Sequence, residues 1–568
     1  MYKIRRCIII LGWLFINNVP YAQGEPFTKR TVSSGLNSPW EIIYGPNDSI
    51  WVTESVTYLV KRINISNGNA TTLINLSTLK NFSSGDGGRW PQGGLMGMAL
   101  HPDLYSADPA VRAAKPWVYL AYVYNRPTGQ TCSTNSGSSN PCYFNTRIVR
   151  YDYSGNTLTN PVTILDNMPG SNDHNSGRLI IGPDLKLYYT IGDMGAGQFN
   201  NSSRTNNSQA TDVLEGKTIR LNTESDGDAG QDAWVPDDNP FYNSSSISPR
   251  DYVYSMGHRN SQGIVWANVN GTNILFNSEH GDKTDDEVNI LSPGKNYGWN
   301  RMSGYCDDNY TGLTLGGYSG VDEDAFCTAT PANTQPVKTL FTINQSEINS
   351  LPSGFTGWPT VAPSSIDVYS ANKIPGWQHS LLIPCLKAGR VFRLKLNATG
   401  TGIANNAGGT DTATYFRGEG RFRDLAMSPD GLKIYLACDA SGQTSGPTGS
   451  FNGGGTPPPN AGRILEFSYS GIILPINEHT LLQPGAVERK ITVYPNPANE
   501  KVTVSVKLDI AKPYTVGIFN MSGVLMKEKR STKNEVIIDI RQLNTGMYFL
   551  QVSNAYGQII QTEKIVKL

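Results

Sequence analysis

Two carboxylates and an imidazole bracket the stretch 171-SNDHNSGRLIIGPDLKLYYTIGD-193, with Asp173 and His174 at its start and Asp193 at its end. An imidazole held by a carboxylate on one ring nitrogen can act as a general base and take a proton from a hydroxyl. A lone histidine in a polar loop also has a plain structural reading, so the rest of the chain must decide. Further polar clusters stand at the ends of apolar runs: 92-QGGLMG-97, 257-GHRNSQG-263 and 279-EHGDKTDDE-287. Two more, 385-CLKAGR-390 and 420-GRFRD-424, carry positive charge. In 421-RFR-423 the two-residue period of a strand puts Arg421 and Arg423 on one face. With Lys387 they form a cationic clamp suited to a ligand with several negative charges, where the bland reading is a set of surface ion pairs. The acids 285-DDE-287 either solvate a turn or coordinate calcium. The loop 226-DGDAGQD-232 lacks full EF-hand spacing and reads as solvated.

These clusters need elements to position them, and the chain supplies a loose repeat. Each copy is an apolar run, a turn of Pro, Asp, Asn or Gly, a second apolar run, and then a polar end. The copies are 40-WEIIYGPNDSIWVTES-55, 96-MGMALHPDLY-105 with 117-WVYLAYV-123, 178-RLIIGPDLKLYYTIGD-193, 263-GIVWANVNGTNILFNSEHGD-282, 381-LLIPCLKAGRVFRLKL-396 and 422-FRDLAMSPDGLKIYLACD-439. Each reads as a β-hairpin. Recurrence over some 450 residues predicts radial repetition, and six copies predict an all-β, six-bladed β-propeller over residues 23–472. A pair of β-sandwich domains accounts less well for the repeat. In a propeller the loops at one end of the blades converge on the central channel, so the polar ends become candidate site residues.

The flanking segments read differently. Lys3, Arg5 and Arg6 precede a short apolar run, and residues 1–22 read as a secretory signal peptide, the run being too short to span a membrane. No other stretch is long and apolar enough to cross a bilayer. Basic and acidic residues balance at 47 each without a basic stripe, which speaks against nucleic acid as a partner. Export predicts an oxidising compartment, with local disulfides Cys132/Cys142 and Cys306/Cys327 and an open choice for Cys385 and Cys438. The stretch 440-ASGQTSGPTGSFNGGGTPPPNAG-462 reads as a long surface loop and residues 473–489 as a linker. Residues 490–568 alternate apolar and polar residues between Gly and Asn turns, which predicts a small β-sandwich.

The ordered series QGGLMG…HPD, DHNSGRL…GPD…YYTIGD, GHRNSQG, SEHGDKTDDEVN…NYGW, WPTVAPSS, LK…FRLKL and RFRD…SPDG…Y resembles the soluble pyrroloquinoline-quinone (PQQ) dependent glucose/sorbosone dehydrogenases across residues 30–470. The resemblance implies a six-bladed propeller holding PQQ and calcium at the channel mouth. It assigns His174 as the base, Asp193 as its orienting acid and Arg259 as the cation where negative charge builds. Gln92, Asp173 and Trp358 are implied to meet the sugar. Asn260, Gln262, Thr360, Lys387, Arg421, Arg423 and Asp439 are implied to hold the cofactor. Gly281 and Asp282 fall where the family ligates calcium through backbone carbonyls, and Asp286, Glu287 and Tyr297 lie where some members form additional calcium sites.

Two departures from the well-studied glucose enzymes stand out. His280-Gly281-Asp282 replaces a Gln-Gly-Pro turn, and Phe355 replaces a rim tyrosine, so a hydroxyl contact is lost and the sugar is left open. The tail, with Tyr494-Pro495-Asn496-Pro497 and 543-LNTGMYFLQV-552, resembles type IX secretion sorting domains. The implied protein is an exported or cell-surface aldose dehydrogenase with an unassigned electron acceptor, a homodimer being left open. The competing readings are a non-catalytic binding propeller and a displayed calcium-stiffened adhesin. Neither explains a base and a cationic clamp kept in one chain.

Overall fold

The structure is a computed structural model that describes residues 27–83, 90–130, 140–227, 233–243, 245–330, 333–406, 409–446, 457–469, 471, 491–506, 513–520, 525–553 and 559–568. The expected signal peptide, the linker at 473–489 and Cys132 lie outside the described residues, as does part of the 226–232 loop. Two compact units divide at residue 470.

Among the described residues the first unit contains six four-stranded antiparallel sheets. The first sheet has strands Pro39–Gly45, Ser49–Glu54, Leu59–Asn64 and Ala70–Asn75. The second has Leu95–Leu100, Trp117–Asn125, Phe144–Ser154 and Thr157–Gly170. The third has Ser176–Ile181, Lys186–Ile191, Lys217–Asn222 and Val253–Met256. The fourth has Ser261–Val269, Thr272–Glu279, Asp286–Leu291 and Lys338–Leu340. The fifth has Asp367–Tyr369, Ser380–Cys385, Arg390–Lys395 and Thr412–Tyr415. In the sixth, Phe422–Met427, Lys433–Cys438 and Ile464–Tyr469 are completed at the outer edge by the N-terminal strand Phe27–Ser33.

Turn chemistry explains the hairpins. Asn270 and Gly271 take positive φ (51° and 90°), the geometry of a two-residue type I′ turn between Val269 and Thr272. Asn47 and Asp48 take positive φ (58° and 48°) in the three-residue loop between Gly45 and Ser49. Five of the six sequence hairpins are the first two strands of a sheet. The sixth, at 381–396, is the second and third, because the first strand Asp367–Tyr369 is too short to show alternation.

The apolar faces stack sheet upon sheet. Trp51 and Val60 of the first pack with Met98 and Leu120 of the second, and Tyr119 and Ile148 with Leu179 and Ile219 of the third. The sixth sheet returns to the first through Ala426, Tyr435 and Ile464 against Ile42, Ile50 and Val52. Fully burying each such side chain contributes roughly 1.5–3 kcal/mol. The six first strands line a cavity of about 700 Å³. Arg178 lines it and pairs with Glu41 (2.6 Å) and Asp424 (3.0 Å), and also donates to the carbonyls of Gln262 and Ser364. Two carboxylates share one guanidinium there, and burial pushes Glu41 up to about 8.

Residues 292–337 leave the fourth sheet as a long excursion, with a short helix Glu323–Ala329 and the disulfide Cys306–Cys327. Cys142 is disulfide-bonded, whereas Cys385 and Cys438 are buried and free.

The second unit carries two antiparallel sheets, of three strands (Ile491–Tyr494, Lys501–Val506, Glu535–Asp539) and four (Tyr514–Phe519, Leu525–Ser531, Gly546–Ser553, Ile559–Lys567). They share one core in which Val502, Val504 and Ile538 meet Val516, Ile518 and Leu550.

Candidate active site

The 171–193 hairpin folds so that its two ends meet. His174 and Ser176 adopt positive φ (51° and 56°), which turns the chain sharply into the strand Ser176–Ile181. Gly192 follows the partner strand Lys186–Ile191, and a Cβ there would lie 1.9 Å from the His174 carbonyl oxygen. This close approach brings Asp193 Oδ1 to 2.7 Å from His174 Nδ1. Asp193 is buried and held from four sides. Oδ1 also accepts from the Gly195 amide (2.9 Å), and Oδ2 accepts from Trp299 Nε1 (2.8 Å) and Asn206 Nδ2 (3.2 Å). An ionised carboxylate only accepts, so His174 donates through Nδ1 and its Nε2 is left with a lone pair.

Nε2 faces Gln198, whose amide nitrogen lies 3.0 Å away and also donates to Asp173 Oδ2 at 2.8 Å. The Gln198 oxygen accepts from Arg259 Nη2 at 2.9 Å. Gln92 donates to Asp173 Oδ1 at 3.2 Å and accepts from the Asn175 amide. Gln198 thus joins the imidazole, Asp173 and Arg259. Arg259 lies over the Trp299 ring (5.2 Å) and 3.6 Å from Asp282, and Asp193 N–H donates to its carbonyl.

The cationic residues assemble beside this group. Arg423 donates to Asp439 (2.8 Å) and to Gln262 Oε1 (3.0 Å), and its guanidinium lies 4.3 Å from the Trp40 ring centroid. Arg421 approaches the same Asp439 oxygen at 3.4 Å. Burial opposes ionisation of Asp439, but Arg423 and Arg421 outweigh it and hold the carboxyl below its usual range. Lys387 donates to the Trp358 carbonyl and to Thr360 Oγ1, both at 2.7 Å, and burial pushes it down to about 8 against the pull of Asp286.

Asn260 links the two groups. Its Oδ1 accepts from the Ser176 amide and hydroxyl, and its nitrogen meets His280 Nδ1 at 3.3 Å. His280 is pushed well below its ordinary value, by burial first and then by the positive charges of Arg259 and Arg423. Phe355 is exposed and Trp358 half-buried, with its indole N–H on the Pro352 carbonyl.

The calcium candidates divide. Asp286 spends its carboxylate on the amides of Gly281 (2.9 Å), Val361 and Ala362 (3.0 Å), so it fixes the Gly281–Asp282 turn. Among the described residues no hydrogen bond reaches the carbonyl oxygens of Gly281 or Asp282. Glu287 instead accepts from the Gly304 amide and Asn289. Tyr297 stacks on His258 and donates to the Ile290 carbonyl. Asp286, Glu287 and Tyr297 are not brought to one point, because neighbouring strand residues face opposite ways.

The sequence reasoning missed Gln198, Asn206, Trp299 and Trp40. Trp299 stands inside the NYGW motif, which was its available signal. Gln198 had none beyond lying five residues past Asp193 in a Gly-rich turn. The chemistry open to this arrangement is proton abstraction by a fixed imidazole next to a desolvated set of cations.

Residues 36–332 and 342–445 match the Glucose / Sorbosone dehydrogenase family, and residues 492–567 match the Secretion system C-terminal sorting domain. A quinoprotein glucose dehydrogenase B of Acinetobacter calcoaceticus is 34% identical over 487 residues, covering 79% of this chain and 92% of that protein. An aldose sugar dehydrogenase of Escherichia coli is 29% identical over 50% of this chain and 62% of its own length. The solved apo-form of a soluble aldose sugar dehydrogenase from E. coli shares the fold, at 23% identity and a TM-score of 0.51, covering 78% of this chain and 99% of that one. The chain belongs to the glucose/sorbosone dehydrogenase family and carries a C-terminal sorting domain.

Proposed function

We propose that this member of the glucose/sorbosone dehydrogenase family is an exported, PQQ- and calcium-dependent sugar dehydrogenase that oxidises an aldose at C1 to its lactone. In this reading the six sheets are the blades of a β-propeller and the tail is a β-sandwich. The observation that carries it is the pairing of His174 with Asp193 at 2.7 Å, joined through Gln198 to Arg259.

The residues present fit a polyanionic cofactor. Arg259 and Arg423 each keep a buried Nε–H without a hydrogen-bond partner among the described residues. Arg421 and Arg423 share one balancing carboxylate, Asp439, and the carboxylate that acts on Lys387, Asp286, is already spent on main-chain amides. An uncompensated buried cation is costly, and an anion entering here relieves that cost. Lys387, Arg421 and Arg423 would hold PQQ, with Asn260, Gln262 and Thr360 beside them. The free carbonyls of Gly281 and Asp282 would hold calcium. When bound, PQQ supplies a quinone that accepts a hydride.

The chain's own residues do the rest. The entering sugar hydroxyl takes over the hydrogen bond that Gln198 makes to His174 Nε2, and Nε2 accepts its proton. Asp193 keeps the imidazole turned and stabilises the imidazolium that results. Gln92, Asp173 and the half-buried Trp358 orient the sugar. Arg259 offers a desolvated guanidinium to the negative charge that builds up in the chamber.

The test is reconstitution. Apo-protein given PQQ and calcium reduces an artificial dye when an aldose is added. A folded protein that reduces no dye across a broad sugar panel overturns the reading. The tail is read as an address for type IX secretion, and residues 1–22 as the export signal that precedes it.

A further inference from the structure

Lys217 begins the strand Lys217–Asn222 and is wholly buried. In register it pairs with Ile191 on one side and Met256 on the other. The neighbouring strands run on from there into Gly192–Asp193 and into Gly257–His258–Arg259, so Lys217 sits beneath both halves of the site. Its ammonium donates to three main-chain carbonyls, those of Asn207 (3.1 Å), Ser208 (3.0 Å) and Glu215 (2.7 Å).

Those carbonyls belong to the connection 206–216, which braces the site at several points. Asn206 donates to Asp193 Oδ2 at 3.2 Å, and the Gly216 amide to the Gly192 carbonyl at 2.9 Å. The His258 amide donates to Gly216 (3.1 Å), the Gly257 amide to Ser208 (3.1 Å), and Ser208 Oγ to the His258 carbonyl (3.2 Å). We propose that Lys217 is a positioning residue: its ammonium gathers the 206–216 connection so that Asn206 clamps Asp193 and Asp193 in turn fixes His174.

The physical reason is that three carbonyl dipoles converging on one buried point repel each other unless a cation with three N–H groups stands between them. Around that point stand Glu215 and Asp212, which favour the charged lysine. Arg204 is tied to Glu215 at 3.4 Å, and Asp193 and the His258–Glu279 pair lie at the neighbouring strand ends. Burial works the other way and pushes Lys217 down to about 7.

The proposal rests on His174 being the base. Lys217→Met, Asn206→Ala and the double variant are compared in the full chain. Dye-linked turnover is one readout. The other is the downfield proton resonance of His174 Nδ1–H in protein without cofactor. Each single variant is expected to lower kcat by about tenfold or more with KM within about twofold, and to broaden that resonance. The double variant is expected to be no worse than the worse single one. Multiplicative losses overturn the proposal, as does a sharp Nδ1–H resonance in a Lys217→Met protein that has only a lower Tm. If Lys217→Met fails to fold, Lys217→Gln, which keeps a donor, takes its place. A wild type that turns over no sugar counts against the enzyme reading alone, because the resonance still decides the role of Lys217.

Discussion

Replacing Asp193 by Asn tests the proposed catalytic pair most sharply, because the surrounding donors leave the amide one orientation. Trp299 Nε1 and Asn206 Nδ2 both donate to the Oδ2 position, so the amide oxygen must occupy it. The amide nitrogen then faces His174 Nδ1 and the Gly195 amide, where the native Oδ1 accepted two hydrogen bonds. The amide nitrogen and the Gly195 N–H, both donors, now face each other, and His174 must accept at Nδ1 and carry its proton on Nε2. That tautomer blocks the atom proposed to take the sugar's proton, and no carboxylate remains to stabilise an imidazolium. A wrong-tautomer substitution of this kind costs on the order of 10³–10⁴ in kcat, about 4–5.5 kcal/mol of barrier. The buried Gly195 N–H left unpaired costs a further 1–3 kcal/mol or so of stability. The assay is steady-state dye reduction at saturating aldose, beside a PQQ titration that should be unchanged, since Asp193 touches none of Lys387, Arg421 and Arg423. A variant that binds PQQ normally and keeps kcat within about threefold of wild type refutes the pairing argument.

Three further outcomes follow from the geometry. Burial holds Lys387 down at about 8, and a bound polyanion raises it, so binding takes up a proton above that pH. PQQ affinity should therefore fall by up to about tenfold per pH unit above 8, with calorimetric proton uptake; constant affinity from pH 7 to 10 would exclude Lys387 from the clamp. Arg178→Met strands the buried carboxylates of Glu41 and Asp424 and should destabilise the first unit by about 3–5 kcal/mol in denaturant melts, part of it restored by adding Glu41→Gln. An unchanged melt would show that the guanidinium does not balance them. Deleting residues 490–568 should leave the protein in the periplasm, as read by cell fractionation; normal export of the truncated chain would remove the sorting role.

Much of this was legible in the chain before any folding was considered. Alternation and turn residues such as Asn270-Gly271 are local signals, so the hairpins and the all-β class could be read directly. His174 and Asp193 were readable as partners because they close a single hairpin, and Arg421 and Arg423 as a pair because they stand two residues apart where the strand Phe422–Met427 begins. The three-residue strand Asp367–Tyr369 was not readable, since nothing in so short a run alternates. The acids 285–287 were readable only as an unresolved choice. The fold decides that Asp286 serves backbone amides of the Gly281 turn and of Val361, 75 residues away.

The sequence by itself determined which residue types stand at the ends of which hairpins, and hence that an imidazole, a carboxylate and a cationic set exist. It did so because β-strand periodicity and turn chemistry act over a few residues. Only the tertiary structure decided how these groups are held. Trp299, which fixes Asp193, lies 106 residues along the chain, and Gln198 reaches Arg259 across 61. Lys217 acts on carbonyls that carry no side-chain signature at all. Such contacts depend on how sheets stack and loops close, which no local pattern encodes.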